Sequence, residues 1–171
     1  MTGPEIENCL RTMVILVDTR EQPSERAQKR YSSFKCPYQR KKLDFGDYSA
    51  EFTLPDGSVV IVNAAIERKM NLEELSSCLT KDRDRFRREF ERAKQAGASI
   101  YLLVENATWE NLINGKYKTK FNKVAFLASL TAWIARYDIK PVFCKAETTG
   151  RLINEILYRE MKQKLEAGVY G

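Results

Sequence analysis

Met13-Val14-Ile15-Leu16-Val17 is an unbroken apolar run that stops at Asp18, the pattern of a strand covered on both faces. From Gln22 to Lys42 no strand or helix period is sustained, and prolines stand at 23 and 37. That stretch is expected to be a long loop, and such loops inside compact domains are usually functional or mobile. The pattern resumes at Leu43-Asp44-Phe45-Gly46-Asp47-Tyr48, with a strand running on through Phe52 and Leu54. Pro55-Asp56-Gly57-Ser58 has the residues of a tight turn, and Val59 to Val62 reads as the returning strand. Ala65 to Lys69 continues it, or forms a neighbouring strand after a bend near Asn63.

Helical spacing takes over next. Asn71 and Glu74 have the spacing of an N-cap and capping box, and Leu72, Leu75 and Leu79 line one face. Lys81 to Asp84 interrupts the pattern; Phe86, Phe90 and Ala93 resume it on a second helix ending at Gly97. Ser99 to Val104 is another apolar strand, closed by Glu105, and Thr108 caps a short helix through Leu112. Asn122 precedes a long helix carrying Val124, Leu127, Leu130, Ile134 and Tyr137. Ile139 to Cys144 reads as a final strand, with Pro141 favouring an edge position. Thr148 or Thr149 starts a last amphipathic helix through Leu152, Ile156 and Leu165. This order predicts an α/β fold, a mixed central sheet flanked by helices. Neither a GxGxxG nor a Walker sequence is present, so nucleotide-binding versions have no support.

Composition narrows the chemistry. At 171 residues, with 43% apolar and 30% charged residues, the chain is expected to be one domain, with its core at about residues 13–165. No run reaches the length of a membrane span and the start lacks a signal peptide's apolar stretch, so the expected location is the cytoplasm, associated with the nucleoid, and not secreted. The chain contains no histidine, which excludes a histidine base and any His-ligated metal. Its four cysteines are scattered and read as free thiols. Any metal is therefore expected to be a hard, oxygen-ligated cation, Mg²⁺ with Mn²⁺ as substitute. The net charge of +6 is concentrated: residues 20–42 hold eight basic and two acidic side chains, interleaved with Tyr31, Phe34 and Tyr38. Such a mixture suits phosphate contacts with base stacking, or equally a solvated surface loop; its position before the candidate site favours DNA.

The candidate chemistry centres on Glu67-Arg68-Lys69. In a strand, Glu67 and Lys69 share one face and Arg68 takes the other. With Asp47 arriving from an earlier segment, this is the set that metal-assisted phosphodiester hydrolysis needs: carboxylates for the cation, and an ammonium for the attacking water and the developing charge. The bland alternative is an ion pair on an exposed strand, disfavoured by the apolar residues around it. Asp18 ends a buried strand, a common site position in α/β folds, or else caps a loop. The arginines of residues 83–92 alternate with acids and read mostly as a solvated face, while Trp109, Phe126 and Trp133 read as core or interface.

Four motifs now stand in one order: Val17-Asp18-Thr19-Arg20-Glu21, Leu43-Asp44-Phe45-Gly46-Asp47-Tyr48, Ile66-Glu67-Arg68-Lys69 and Arg85-Phe86. The chain resembles the nuclease domain of the XPF-type structure-specific endonucleases over about residues 13–145. The resemblance implies a restriction-endonuclease-like α/β core. It implies Asp47 and Glu67 as metal-binding carboxylates, Lys69 as the catalytic lysine, and Arg68 as the arginine of the triplet, its carbonyl also facing the metal. Asp18 and Glu21 match acidic positions lining the same site, Asp18 as a further metal ligand. Arg20 and Arg85 match arginines of the first and last motifs and, with Arg40, Lys41 and Lys42, form the expected DNA contacts. Two positions depart: Glu73 stands where the signature ends in Asp, and Glu89 where a glutamine is expected. The 171 residues hold no tandem helix-hairpin-helix domain, so the expectation is either a nuclease-only version, as in phage or mobile-element relatives, or a fragment of a longer protein. Expected partners are branched DNA (flap, fork or four-way junction) and a second copy of the chain through residues 122–164. The alternative is a non-catalytic DNA-binding module that kept the fold, disfavoured by the intact Asp47, Glu67 and Lys69.

Overall fold

A computed structural model describes residues 1–170. Along the chain the elements are α1 (Gly3–Arg11), β1 (Val14–Val17), α2 (Glu25–Ser32), β2 (Tyr38–Arg40), β3 (Tyr48–Thr53) and β4 (Val59–Ile61). Then come β5 (Ala64–Lys69), α3 (Leu72–Leu79), α4 (Arg83–Gln95), β6 (Ser99–Glu105) and α5 (Trp109–Ile113). The last are α6 (Lys123–Tyr137), β7 (Ile139–Cys144), a 3-10 turn at Ala146–Thr148 and α7 (Thr149–Glu166). The predicted mixed α/β class is what the chain adopts. Two compact units form, one from Met1–Leu43, Asp47–Ala64 and the stretch from Gly150, the other from Asp44–Gly46 and Ala65–Thr149.

In the first unit β1 runs parallel to β2, with Ile15 opposite Tyr38, and antiparallel to β3, with Val17 opposite Tyr48. Strand β4 returns antiparallel to β3 across the expected turn. Ile15, Leu16, Val17, Tyr48, Ala50 and Phe52 are buried, as are Ile153, Leu157, Met161 and Leu165 at helical spacing on α7. Gly150 has no room for a side chain: a Cβ there would lie 2.0 Å from Ser33 Oγ and 2.4 Å from Arg30 O. Asn154, one turn further along α7, accepts a hydrogen bond from the Lys35 amide at 2.9 Å.

The segment expected to be a long loop is not one. Residues 25–32 form α2, capped by Ser24, whose hydroxyl accepts from the Ala27 amide, and residues 38–40 pair with β1. No continuous apolar stripe marks this helix in the sequence, because one of its three buried positions is Arg30. Nor does Tyr31 form a base-stacking platform. It is buried, with its ring 4.8 Å from Tyr38 and 5.8 Å from Phe34, so these aromatics pack largely on one another. Helix α1, a further element beyond those expected, starts with a reciprocal capping box between Thr2 and Glu5 and has Pro4 in its first turn.

The second unit carries β5 beside β6, and β6 parallel to β7, with Ile100 opposite Ile139 and Glu105 opposite Cys144. Its core joins Leu72, Leu75 and Leu79 of α3, Phe86 and Phe90 of α4, and Phe126, Leu130 and Trp133 of α6. Phe86 stacks on Trp133 at 5.2 Å and meets Phe90 edge-on at 4.6 Å. Asn71 caps α3 as expected, through the Glu74 amide at 2.8 Å. Glu74 reaches back one residue further than a capping box requires, accepting from the Met70 amide at 2.7 Å. Phe126 and Trp133 are buried in this core, and Trp109 packs edge-on against Phe143 at 4.9 Å. Among the described residues no helix is long and apolar enough to cross a membrane.

Candidate active site

Strand alternation decides which side chains meet. Glu67 and Lys69 share one face of β5, and both are buried, at 5% and 8% exposure. Lys69 Nζ donates to Glu67 Oε1 at 2.5 Å and stands 5.1 Å from the centre of the Phe86 ring. The ammonium is thus held between a carboxylate and an aromatic face on α4, which restricts a side chain that is otherwise flexible. Arg68 projects to the other face, as the alternation requires, and pairs with Glu105 of β6 at 3.1 Å. Glu105 in turn accepts from the Thr149 hydroxyl at 2.8 Å. In this unit the Arg68 guanidinium joins two strands.

Burial drives the Glu67 carboxyl above its ordinary range. Lys69 opposes the rise, while the charges of Glu89 and Glu74 add to it. A carboxylate that is hard to ionise alone, with two more carboxylates acting on it, favours a cation. Glu67 could offer such a cation only oxygen, the donor that Mg²⁺ or Mn²⁺ prefers. Among the described residues no three carboxylates or thiols already form a metal-binding group.

Gly46 lies directly on β5. Its φ is +74°, and an added Cβ would sit 2.9 Å from Ala65 Cβ and 3.2 Å from Ile66 O. Only glycine accepts both the left-handed backbone and the close approach. Asp47 is the next residue along the chain, half-buried, and its carbonyl accepts from the Asp18 amide at 2.8 Å.

The first unit shows what the remaining predicted acids hold. Asp18 is 1% exposed. Its Oδ1 accepts from the Arg20 amide at 2.8 Å and from Arg20 Nε at 2.7 Å, and its Oδ2 accepts from the Leu43 amide at 2.7 Å. Burial alone would raise its pKa; the bonds from Arg20 and Leu43 outweigh it and hold the carboxyl low. Asp18 thereby ties the end of β1 to the chain just ahead of the Gly46 turn. Glu21 pairs with the buried Arg30, whose Nε also donates to Tyr48 Oη at 2.7 Å. Burial, then the Glu21 charge, drive the Tyr48 phenol far up, so it stays protonated. Arg40 donates to the carbonyls of Thr19 and Glu21 at 2.8 and 2.7 Å, and Lys41 pairs with Glu51 at 3.2 Å. Arg20 and Lys42 are exposed, as is Arg85 on the second unit.

Sequence reasoning missed the Glu21–Arg30–Tyr48 group and the part played by Glu74 and Glu89. Pro23-Ser24 ahead of α2 was an available signal for the first. Nothing local marked the second, because the effect of Glu89 on Glu67 depends on how α4 packs.

The chain is thus of the mixed α/β class, with a carboxylate–lysine pair buried on one strand beside a glycine that admits close backbone approach. Residues 17–156 match the ERCC4 domain, and the chain belongs to that family, the nuclease domain of XPF-type proteins. Among solved structures it is similar to XPF from Aeropyrum pernix, with a TM-score of 0.63 and 18% identity over 92% of this chain and 69% of that one. It is likewise similar to XPF from Aeropyrum pernix in complex with DNA, with a TM-score of 0.61 and 20% identity over 88% of this chain and 65% of that one. At such identities the likeness is one of fold. No curated protein sequence matches the chain significantly.

Proposed function

We propose that the protein is a divalent-metal-dependent endonuclease that hydrolyses DNA phosphodiesters near a branch, at a 3′ flap, fork or four-way junction. The observation that carries this reading is the buried Glu67–Lys69 pair. Burying two charges has a cost that a purely structural pair seldom recovers, and here Glu67 remains above its ordinary range even with its partner present. Glu67, with Asp47 assigned by the motif, would hold Mg²⁺ or Mn²⁺. When bound, such an ion supplies Lewis-acid stabilisation of phosphate charge and a more acidic water. Lys69 brings its ammonium to where negative charge develops, while its contacts with Glu67 and Phe86 keep it oriented. Selection by branch shape suits exposed Arg20, Lys42 and Arg85, since no groove-reading motif is present. Pairing of two copies through residues 122–164 and action at the nucleoid belong to the same proposal.

The test is cleavage of end-labelled 3′-flap, fork and four-way-junction DNA in Mg²⁺, with EDTA and linear duplex as controls. Metal-dependent cuts near the branch are expected from the wild type. Glu67→Gln, Asp47→Asn and Lys69→Ala are each expected to lower the rate at least about 100-fold while retaining DNA binding. Wild-type rates in Asp47→Asn or Lys69→Ala would refute the site assignment. Binding with no cleavage of any branched substrate would leave a DNA-binding module.

A further inference from the structure

From the end of α5 to the first residue of α6 the chain reads Gly115-Lys116-Tyr117-Lys118-Thr119-Lys120-Phe121-Asn122-Lys123, with lysines alternating from 116 to 120 in a stretch that forms no strand and a fourth lysine opening α6. The alternation sorts the side chains nonetheless. Lys116, Lys118, Lys120 and Lys123 are exposed, while Tyr117, Thr119 and Phe121 are half-buried. The rings of Tyr117 and Phe121 pack on Phe126 at 5.3 and 5.0 Å. Tyr117 Oη donates to the Phe121 carbonyl at 2.7 Å.

The loop is also tied to α3, which begins just after Lys69. Ser76 Oγ lies 3.1 Å from Thr119 Oγ1, and the Lys118 amide donates to Glu73 Oε1 at 2.6 Å. At its start Gly115 adopts φ +70°, with Lys123 Cδ 3.4 Å from where a Cβ would be, so the stem of Lys123 closes over it. Among the described residues none of the four ammoniums takes part in an ion pair.

A solvated charge run needs none of this anchoring. Four cations in eight residues repel one another, yet hydrogen bonds and aromatic packing hold their backbone in one arrangement before any counter-charge arrives. Such pre-ordering reduces the entropy lost when a regularly charged polyanion binds. From this arrangement we infer that residues 115–123 form a second DNA-contact surface, whose lysines take backbone phosphates flanking the cleavage site. Glu73 is its positioning residue. Its carboxylate fixes the Lys118 amide from 45 residues away along the chain. This inference rests on the nuclease reading; it adds the surface that grips the substrate beside the site.

The experiment follows binding of fluorescein-labelled fork DNA to the full chain in EDTA, by anisotropy across a KCl series. Lys116→Gln/Lys118→Gln/Lys120→Gln is expected to weaken binding and flatten the log–log salt slope by about 1 per lysine. The matching arginine variant is expected to keep the wild-type slope. Glu73→Ala is expected to flatten the slope in part, and Glu73→Gln, which retains an acceptor oxygen, is expected to restore it. Circular dichroism checks folding, and single glutamine substitutions replace the triple variant if it is unstable. Wild-type affinity and slope in the glutamine variants would overturn the loop assignment and leave the nuclease reading intact. Failure of the wild type to bind any DNA at low salt would overturn both.

Discussion

Asp18 and Glu67 are carboxylates of one chain with opposite electrostatics. Glu67 is buried with other carboxylates acting on it and is pushed up; Asp18 is buried among donors and is held down. For Asp18 the folded pKa lies below the unfolded one. Its contribution to stability is therefore present above about pH 4 and lost as pH falls through the lowered folded value. Asp18→Asn is expected to destabilise the protein by about 2 kcal/mol at pH 7. In urea denaturation the gap from wild type should narrow as the pH is taken towards 3. An unchanged gap would mean that Asp18 acts through its shape and not its charge. Asp47, Glu67 and Lys69 stand out as candidates in the sequence because Gly46-Asp47 and Glu67-Arg68-Lys69 lie in ordered motifs. The partner of Asp18 at Leu43 does not, since that bond spans 25 residues.

At the scale of elements, legibility followed how regular the buried face was. Strand β5 is buried along nearly its whole length, and its extended backbone alone puts Glu67 and Lys69 on one face and Arg68 on the other. Helix α2 could not be read from the sequence, because a paired arginine sits where an apolar residue would mark the stripe. Strand β2 has three exposed residues and is a strand only through its pairing with β1. Helix α4 was legible from Phe86, Phe90 and Ala93, but the placing of Phe86 beneath the Lys69 ammonium was not. Phe86→Leu is expected to cost about 1 to 2 kcal/mol in the core and to remove a cation–π contact of similar size from Lys69. Cleavage well below the melting temperature should then fall several-fold while the fold persists, as stopped-time assays beside a urea titration can measure. A loss of stability with an unchanged rate would show that Lys69 does not need the ring.

For the whole molecule, the excess of +6 was legible as a number and only partly as a surface. Of the eight cations in residues 20–42, Arg30 is buried against Glu21, Lys41 pairs with Glu51, and Arg40 is bonded to two carbonyls. The four exposed lysines of residues 116–123 contribute charge that the sequence reading did not single out. A field of this kind speeds encounter with DNA and is screened by salt. Raising KCl from 50 to 200 mM is therefore expected to lower kcat/KM by at least about tenfold, with kcat at saturating DNA nearly constant. An equal fall in both would place the salt effect on the chemical step. What the sequence determined by itself were properties set within a few residues: the strand and helix periods, the caps at Asn71 and Thr108, the shared face of Glu67 and Lys69, and the glycine before Asp47. Backbone geometry imposes these wherever the segment lies. Only the tertiary structure decided what each charge meets: Arg68 taken by Glu105, Tyr31 turned inward, Glu67 raised with Glu74 and Glu89 acting on it, and Glu73 reaching a loop 45 residues on. Pairing and burial depend on contacts between residues distant along the chain, and no local pattern carries them.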